Sequence, residues 1–210
     1  MKNQEREESF DQKAQKWDSD PEKLERARLV AAKMKAIVPL HKVNQALDFG
    51  TGTGLLSMAL KEQIHKIDCL DTSEGMIQVL KEKIKQQNIR NLVPLHGDLS
   101  HPAIQDQYYD LIFTMMVLHH VDNVQPLLTD FYGRINPHGY LCVIDLFKED
   151  GSFHGAGFQG KHGFDPKELS CQLLEAGFSS VEYSHCLDIS KITLSGQSKL
   201  FPVFILIAEK

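Results

Sequence analysis

The 210-residue sequence predicts an α/β fold built on a mostly parallel β-sheet with helices on both faces. From about residue 44 onward, short apolar runs alternate with segments of helical periodicity, as expected for parallel strands joined by helices. A glycine-rich turn follows the first apolar run. The last two runs, 180–189 and 200–208, have no long helical segment between them, so we expect them to pair antiparallel. The predicted sheet is therefore mixed.

The composition is typical of one folded domain and excludes several classes of protein. With 42% hydrophobic and 24% charged residues and a net charge of −5, the chain is too apolar and too balanced to be disordered. No run approaches the roughly 20 apolar residues of a membrane-spanning helix. The charged N-terminus lacks the apolar region of a secretory signal. We predict a single domain over residues 1–210, with no membrane partner and, because no long Lys/Arg cluster is present, no nucleic-acid partner.

The four cysteines are too far apart for a CxxC pair, so they predict neither a zinc knuckle nor a redox motif. They are Cys69, Cys142, Cys171 and Cys186. We interpret them as buried thiols of a protein in the reducing cytoplasm.

The first predicted helix starts at Pro21, where proline's missing N–H costs nothing, and has Asp20 as its N-cap. Apolar residues recur along it every three or four positions. The segment before it is polar apart from two aromatic residues, Phe10 and Trp17. Side chains of that size suggest docking onto the fold, and we expect residues 1–40 to act as a lid over a site. The alternative is a loose tail with one docked aromatic residue.

The remaining elements follow from the same two periodicities and from capping residues. Strands are predicted at 43–49, 67–70, 92–95, 110–117 and 140–147. Helices are predicted at 55–60, after a Ser73 cap, after a capping box of Asp122 and Gln125, and after an Asp165 cap.

The strongest motif is Leu-Asp-Phe-Gly-Thr-Gly-Thr-Gly at residues 47–54, between a predicted strand and a predicted helix. Glycines there permit positive φ and close approach of a ligand to the backbone, and the helix N-terminus offers free N–H groups to an anion. A dinucleotide motif, G-x-G-x-x-G, is excluded because Leu55 and Ser57 occupy its possible last position. No Gly-Lys-Ser/Thr of a phosphate-binding loop is present. A purely structural turn remains the alternative.

Two acidic residues follow the next two predicted strands. Asp71 lies at the distance beyond Gly54 that a βαβ unit requires, where an acid accepts hydrogen bonds from both hydroxyls of a ribose. Asp98, in Gly97-Asp98-Leu99, is positioned to face an adenine amino group, with Leu99 against the ring. Each residue alone would be an ordinary surface acid or loop; together with the glycine turn they suggest an adenosine site.

These motifs, followed in order by Tyr109-Asp110-Leu111-Ile112 and Leu118-His119-His120-Val121, resemble class I S-adenosylmethionine-dependent methyltransferases, above all the small bacterial type-11/type-12 group. The resemblance covers residues 40–147, and segment 134–140 resembles the turn before the fifth strand. It implies a Rossmann-like three-layer sandwich with seven strands in the order 3-2-1-4-5-7-6, the last antiparallel. It also implies S-adenosylmethionine as cofactor, S-adenosylhomocysteine as product, and a small-molecule acceptor.

The resemblance implies cofactor-binding roles for residues that follow the first four strands. They are Asp48, Gly50, Thr51, Gly52 and Gly54 in the glycine turn, Asp71, Thr72 and Met76 after the second strand, Asp98 and Leu99 after the third, and Met115 and Met116 after the fourth. The glycines would line the methionine end of the cofactor and Asp48 would help to hold its amino group. Asp71 would bind the ribose, and one of the two adjacent methionines would lie near the reacting methyl.

A sulfonium is already an activated methyl donor, so the protein must chiefly align the acceptor, the methyl group and the sulfur. A general base is needed only if the acceptor starts protonated. The candidates are His120, His154 and His162, because an imidazole titrates near neutral pH. His119 and Asp145 are further pocket candidates. Positioning is the alternative for the histidines, and a solvated strand end is the alternative for Asp145. Metal binding by His119, His120, His154 and His162 is a further alternative, but no spacing among them demands a metal, and none is predicted.

Residues 150–164 are predicted to form an acceptor-site loop. Glycines at five positions disfavour regular structure, and three phenylalanines make the segment too apolar for a solvated linker. Phe153, Phe158 and Phe164 would supply apolar walls for the acceptor. The alternative is an excursion whose aromatic side chains dock on the core.

Two further functions remain open at this stage. One is a non-catalytic protein of the same fold that binds S-adenosylmethionine or S-adenosylhomocysteine as a sensor or partner subunit. The other is a nucleotide-dependent oxidoreductase, which the absent dinucleotide spacing disfavours.

Overall fold

The computed structural model describes residues 2–154, 157–193 and 196–210, with side chains from residue 10 onward. Gly155 and Ala156 of the predicted acceptor loop lie outside the described residues. The chain divides into two compact units, residues 1–111 and 112–210. The single-domain organisation stays a prediction.

The described strands are β1 (Gln45–Phe49), β2 (Lys66–Asp71), β3 (Leu92–His96), β4 (Tyr109–Met115), β5 (Ile135–Leu146), β6 (Ser180–Ile192) and β7 (Ser198–Glu209). They form one sheet in the order β3-β2-β1-β4-β5-β7-β6. Strand β2 pairs parallel with both β1 and β3, whereas β7 pairs antiparallel with β5 and β6. The seven-stranded mixed sheet that the sequence and its resemblance predicted is confirmed.

The described residues form six α-helices: α1 (Lys2–Trp17), α2 (Pro21–Ile37), α3 (Leu55–Leu60), α4 (Glu74–Gln86), α5 (Val124–Arg134) and α6 (Pro166–Ala176). The predicted caps of three of them are confirmed. The carboxylate of Asp20 accepts a hydrogen bond from the Glu22 N–H, the Ser73 hydroxyl from the Met76 N–H, and Asp165 from the Lys167 N–H. Each satisfies one of the N–H groups that a helix leaves unpaired at its start.

In the first unit, apolar side chains of β1 and β2 form a buried centre against α4. Leu47, Ile67, Leu70 and Leu80 are fully buried, or nearly so. Phe49 pairs with Leu70 at the ends of the two strands. This register brings the carboxyl ends of β1 and β2, and the turns that follow them, to the same edge of the sheet.

Helix α1 was not predicted, because its sequence is almost entirely polar. It packs on α4, and Ala14 supplies its buried contact. The N-terminal segment is therefore helical and docked on the first unit. Its role as a lid stays a prediction.

In the second unit, three predicted element boundaries were wrong. Helix α5 has Asn123 as its N-cap and no side-chain capping bond, so Asp122 and Gln125 form no capping box. Strand β4 ends at Met115 because Met116 has a φ of 60°, which extended backbone does not allow. Strand β5 begins at Ile135 and so includes most of the segment that resembled a turn.

The cysteines are free thiols, and the prediction that all are buried was half right. Cys69 and Cys142 are buried, whereas Cys171 on α6 is exposed and Cys186 is partly exposed. Within the described residues, none of the helices combines the length and the apolar character needed to cross a bilayer.

Candidate functional site

The glycine turn after β1 is held in a left-handed conformation by its three glycines. Gly50, Gly52 and Gly54 have φ values of 72°, 55° and 78°, a region that costs other residues about 1–2 kcal/mol. The N–H groups of Gly50 and Thr51 both donate to the carbonyl of Leu70, at 2.8 and 2.9 Å. The turn is therefore fixed to the end of β2, and Gly54 is the N-cap of α3.

The carboxylate of Asp48 links this turn to the first helical residues after it by hydrogen bonds. Its Oδ2 accepts hydrogen bonds from the Thr51 hydroxyl at 2.7 Å and the Ser57 hydroxyl at 2.6 Å. The side chain is buried, and that burial raises the pKa of Asp48 to about 6. Asp48 thus acts on the turn itself; a direct role in holding the cofactor's amino group stays a prediction.

Asp71, at the end of β2, is brought to the centre of the glycine turn. Its Oδ2 accepts a hydrogen bond from the Gly52 N–H at 2.6 Å, and its Oδ1 accepts one from the Ser73 N–H at 2.9 Å. Burial of the carboxyl raises its pKa. A carboxylate has about four lone-pair positions, so two N–H donors leave capacity for further donors.

The other predicted cofactor residues of the first unit occupy different environments. Thr72 is exposed, and its carbonyl lies 3.1 Å from Nε2 of His96. Met76 is buried in α4. Asp98 is exposed, and its Oδ1 accepts bonds from the Ser100 hydroxyl and N–H at 2.6 and 2.8 Å, which lowers its pKa. Leu99 beside it is buried.

Helix α1 and the residue that follows it contribute two carboxylates that the sequence did not indicate, those of Asp11 and Asp18. Oδ1 of Asp18 accepts a bond of 2.5 Å from the hydroxyl of Thr53 in the glycine turn, while its Oδ2 pairs with Lys83 at 2.6 Å. Asp11 accepts bonds from the Ser73 hydroxyl and, at 2.8 Å, from the Gly75 N–H at the start of α4. The N-terminal helix is thus anchored to the same two turns that carry the glycines and Asp71.

In the second unit, the chain after β4 turns sharply at the two predicted methionines. Met115 and Met116 are both partly exposed, and the Met116 N–H donates to the Ile144 carbonyl at 2.8 Å. A short 3-10 helix, Leu118–His120, follows.

His119 and Asp145, which the sequence indicated only as two separate pocket candidates, form a buried pair. Nδ1 of His119 lies 2.6 Å from Oδ1 of Asp145, and both side chains are at most 1% exposed. The His119 N–H also donates to Oδ2 of Asp145 at 3.3 Å. Asp145 was considered as a solvated strand end; it is instead the partner that fixes the His119 ring.

Three imidazole rings meet around this pair. The ring centroids of His119 and His120 are 4.2 Å apart, and that of His154 is 4.9 Å from the first and 5.3 Å from the second. The Phe158 ring stacks on His154 at 3.8 Å and an interplanar angle of 14°. We refer to His119, His120 and His154 as the histidine cluster.

His162, the third predicted base, is not part of the cluster. Its side chain is 45% exposed, and its Nδ1 lies 3.4 Å from Oε1 of Glu149. Its ring centroid is 6.0 Å from that of Phe158. The structure therefore brings two of the three predicted bases together and leaves the third at the rim.

The described parts of the 150–164 loop contain no helix, and only one isolated bridge, between Phe164 and Phe147. Phe153 is buried edge-on against Phe201 at 5.1 Å, as the docking alternative had it. The loop is fixed to the histidine segment because the Lys161 N–H donates to the His119 carbonyl at 2.7 Å. Its acceptor-binding role stays a prediction.

Comparison with known proteins agrees with this fold and these motifs. Residues 47–143 match the family model described as "Methyltransferase domain". A Schizosaccharomyces pombe protein named "Uncharacterized methyltransferase C1347.09" is 29% identical over 154 residues, which cover 65% of this chain and 54% of that protein. Demethylmenaquinone methyltransferase of Listeria welshimeri is 28% identical over 112 residues, covering 52% of this chain and 48% of the relative. The chain spans about half the length of the curated relatives it matches.

Among solved structures, an Aquifex aeolicus SAM-dependent methyltransferase superposes with a TM-score of 0.62 at 21% identity, covering 90% of this chain and 98% of that one. This likeness concerns the fold alone. In its sheet order, its ordered motifs and the match over residues 47–143, the chain is similar to class I S-adenosylmethionine-dependent methyltransferases.

Proposed function

We propose that this chain transfers the methyl group of S-adenosylmethionine to a small-molecule acceptor by in-line displacement. The proposal rests on the 2.6 Å hydrogen bond from the Gly52 N–H to Asp71. This bond places the acid expected to bind the ribose directly beside the left-handed glycine turn. The name of the Listeria relative specifies demethylmenaquinone, which is consistent with a small-molecule acceptor.

The glycine turn has the properties that a bound cofactor requires. A Cβ atom placed on Gly52 would meet no protein atom within 4 Å, so the space above the backbone is open to a ligand. Asp71 would accept the ribose hydroxyls with its remaining lone pairs, and the turn glycines would face the methionine end. The adenine would contact Leu99 and Asp98. When bound, the cofactor supplies an electrophilic methyl group on a positively charged sulfur.

We further propose that the acceptor contacts the histidine cluster and His162. Their task would be to orient the acceptor and, where it carries a proton on the attacking atom, to remove it. Asp145 supports this role because a carboxylate on Nδ1 fixes the tautomer of His119 and leaves Nε2 as its free ring nitrogen. Met115 and Met116, in the turn that leads to these residues, are proposed to contact the methyl donor.

The test is a methyl-transfer screen with S-adenosylmethionine labelled in the methyl group, using small-molecule extracts and the wild-type protein beside Asp71→Asn. The proposal expects label to enter at least one small molecule, with transfer at subsaturating cofactor reduced at least tenfold in the variant. If the protein binds S-adenosylhomocysteine but labels nothing, the sensor or partner-subunit alternative replaces the enzyme. If it binds neither compound, the proposed function is wrong.

A further inference from the structure

The histidine cluster has the composition of a metal site as well as that of a proton-transfer site. One ring nitrogen from each of His119, His120 and His154 lies within 4.8 Å of the other two. A neutral imidazole nitrogen is the commonest protein ligand for divalent transition metals.

The second observation is the carboxylate behind the cluster. Metal-binding histidines commonly donate their other ring N–H to a carboxylate, which fixes the ring and makes the ligating nitrogen more basic. Asp145 stands in that position, 2.6 Å from Nδ1 of His119, and both groups are buried. With Nδ1 committed to Asp145, the nitrogen that His119 presents to a ligand is Nε2.

We propose that His119, His120 and His154 bind one divalent transition-metal ion, for which Zn²⁺ is the expected occupant. Three histidines with an open fourth position are the ligand set of a catalytic zinc ion rather than a structural one. His120 and His154 are partly exposed, so an ion can reach them from solvent. This site goes beyond the proposed function, and binding of the ion does not depend on it.

The surroundings of the cluster keep it close to a binding geometry before any ion arrives. Phe158 stacks on the His154 ring and meets His120 edge-on at 5.3 Å. The loop backbone is bonded to the His119 carbonyl through Lys161. A tetrahedral ion with bonds of about 2.0–2.1 Å spaces its nitrogens about 3.3 Å apart. Starting from separations of at most 4.8 Å, the rings need only small movements.

A bound ion would give the cluster a different chemical role from that of a general base. It would polarise an acceptor oxygen in its open position and lower the pKa of a hydroxyl there. The histidines would then act as ligands. Metal binding is measured without cofactor or acceptor. Absence of metal binding would therefore refute the metal site and leave the proposed methyl transfer untouched.

The experiment uses the full chain without a histidine tag, stripped with a chelator and then titrated calorimetrically with ZnCl₂. Optical spectroscopy with CoCl₂ reports the ligand geometry. The variants His120→Ala and His154→Ala remove partly exposed ligands, so they should fold. Asp145→Asn tests the carboxylate behind His119. The matched control is His138→Ala, because that side chain is 89% exposed and outside the cluster.

We expect one equivalent of Zn²⁺ per chain, a low-coordinate cobalt spectrum, and affinity reduced at least tenfold in both ligand variants. Asp145→Asn should weaken binding about 10–100-fold, and His138→Ala should leave it unchanged. Binding of less than a tenth of an equivalent would overturn the site. So would equal affinity in the wild type and both ligand variants, which would assign the ion to scattered surface histidines.

Discussion

Nδ1 of His119 lies 2.6 Å from Oδ1 of Asp145, and at most 1% of either side chain is exposed to solvent. Because buried polar groups without partners are costly, Nδ1 of His119 depends on Asp145, whose Oδ1 also accepts a hydrogen bond from the Leu146 N–H at 2.7 Å. The pair joins the start of the histidine segment after β4 to the end of β5. It therefore sets the position of the histidine cluster whatever ligand the cluster binds.

Removal of one member of this pair should destabilise the protein. Asp145→Ala is expected to lower the free energy of unfolding by about 3–5 kcal/mol, the usual cost of removing one partner of a buried pair and leaving the other uncompensated. Urea unfolding followed by circular dichroism measures the change. The control is Asp188→Ala, which breaks a His185–Asp188 contact of 3.0 Å between exposed side chains. That variant should lose no more than about 1 kcal/mol; equal losses in the two variants would refute the structural role of Asp145.

Asp48 should make the stability of the first unit depend on pH. Burial raises its pKa to about 6 in the folded chain, above the ordinary aspartate value of 3.8. The folded state then binds more protons than the unfolded state between these two values, so this group's contribution falls as pH rises through that window. Asp48→Asn keeps an oxygen that accepts from Thr51 and Ser57 but removes the titration.

The variant should therefore gain stability relative to wild type on going from about pH 4 to pH 7, by about 2–3 kcal/mol. Urea unfolding at both pH values measures this difference. A stability difference that is the same at the two pH values would show that Asp48 titrates normally.

The docked helix α1 should report on cofactor binding through Trp17, the only tryptophan of the chain. The ammonium of Lys23 lies 4.1 Å above the Trp17 ring, and Asp18 beside it bonds to Thr53 in the glycine turn. Cofactor binding to that turn should therefore change Trp17 fluorescence, and Asp18→Ala should reduce the change. A flat titration at saturating S-adenosylhomocysteine, with binding verified by calorimetry, would contradict a lid role for residues 1–40.

Asp71 should contribute to cofactor affinity through its charge. Asp71→Asn is expected to weaken S-adenosylhomocysteine binding by about 1.5–3 kcal/mol, the range for a hydrogen bond to a charged group. Calorimetric titration gives this value directly. The control is Asp106→Asn. Asp106 is exposed and accepts a hydrogen bond from the side chain of its neighbour Gln105, so this variant should bind as the wild type does. Equal affinity in all three proteins would remove Asp71 from the site.

Much of the fold followed from local sequence signals, because caps and periodicity act over a few residues. Helix α3 occupies the predicted residues 55–60, and Ser73 and Asp165 cap as expected. The capping box of Asp122 and Gln125 failed because the helix begins one position later than that spacing requires. Helix α1 was missed because the carboxylates of Asp11 and of Asp18, the residue after the helix, hold it to the fold in place of a run of apolar residues.

The part of the candidate site that lies in one sequence motif was predictable. The part formed by residues that are distant in the sequence was not. The glycine turn and Asp71 were visible in order along the chain. His119 and Asp145 are 26 positions apart, and their pairing depends on where the chain returns through β5. His154 likewise joins the cluster only because the loop folds back onto the histidine segment. Such contacts depend on tertiary structure, which spacing alone does not specify.

Whether the glycine turn binds the cofactor is tested by comparing S-adenosylhomocysteine binding to the wild type, Gly52→Ala and Gly196→Ala. Both glycines have positive φ, 55° and 79°, and in both cases a Cβ would meet nothing within 4 Å. Each substitution should therefore cost about 1–2 kcal/mol of backbone strain. Only Gly52 lies in the proposed cofactor turn, where an added methyl group would occupy the ligand's space.

We expect one binding site per chain in the wild type and in Gly196→Ala, and affinity at least tenfold weaker in Gly52→Ala. Calorimetric titration measures the affinities. Thermal unfolding of the two variants checks that both substitutions lower stability to a similar extent. Undiminished binding by Gly52→Ala, or no binding by the wild type, would contradict the assignment of this turn as a cofactor site.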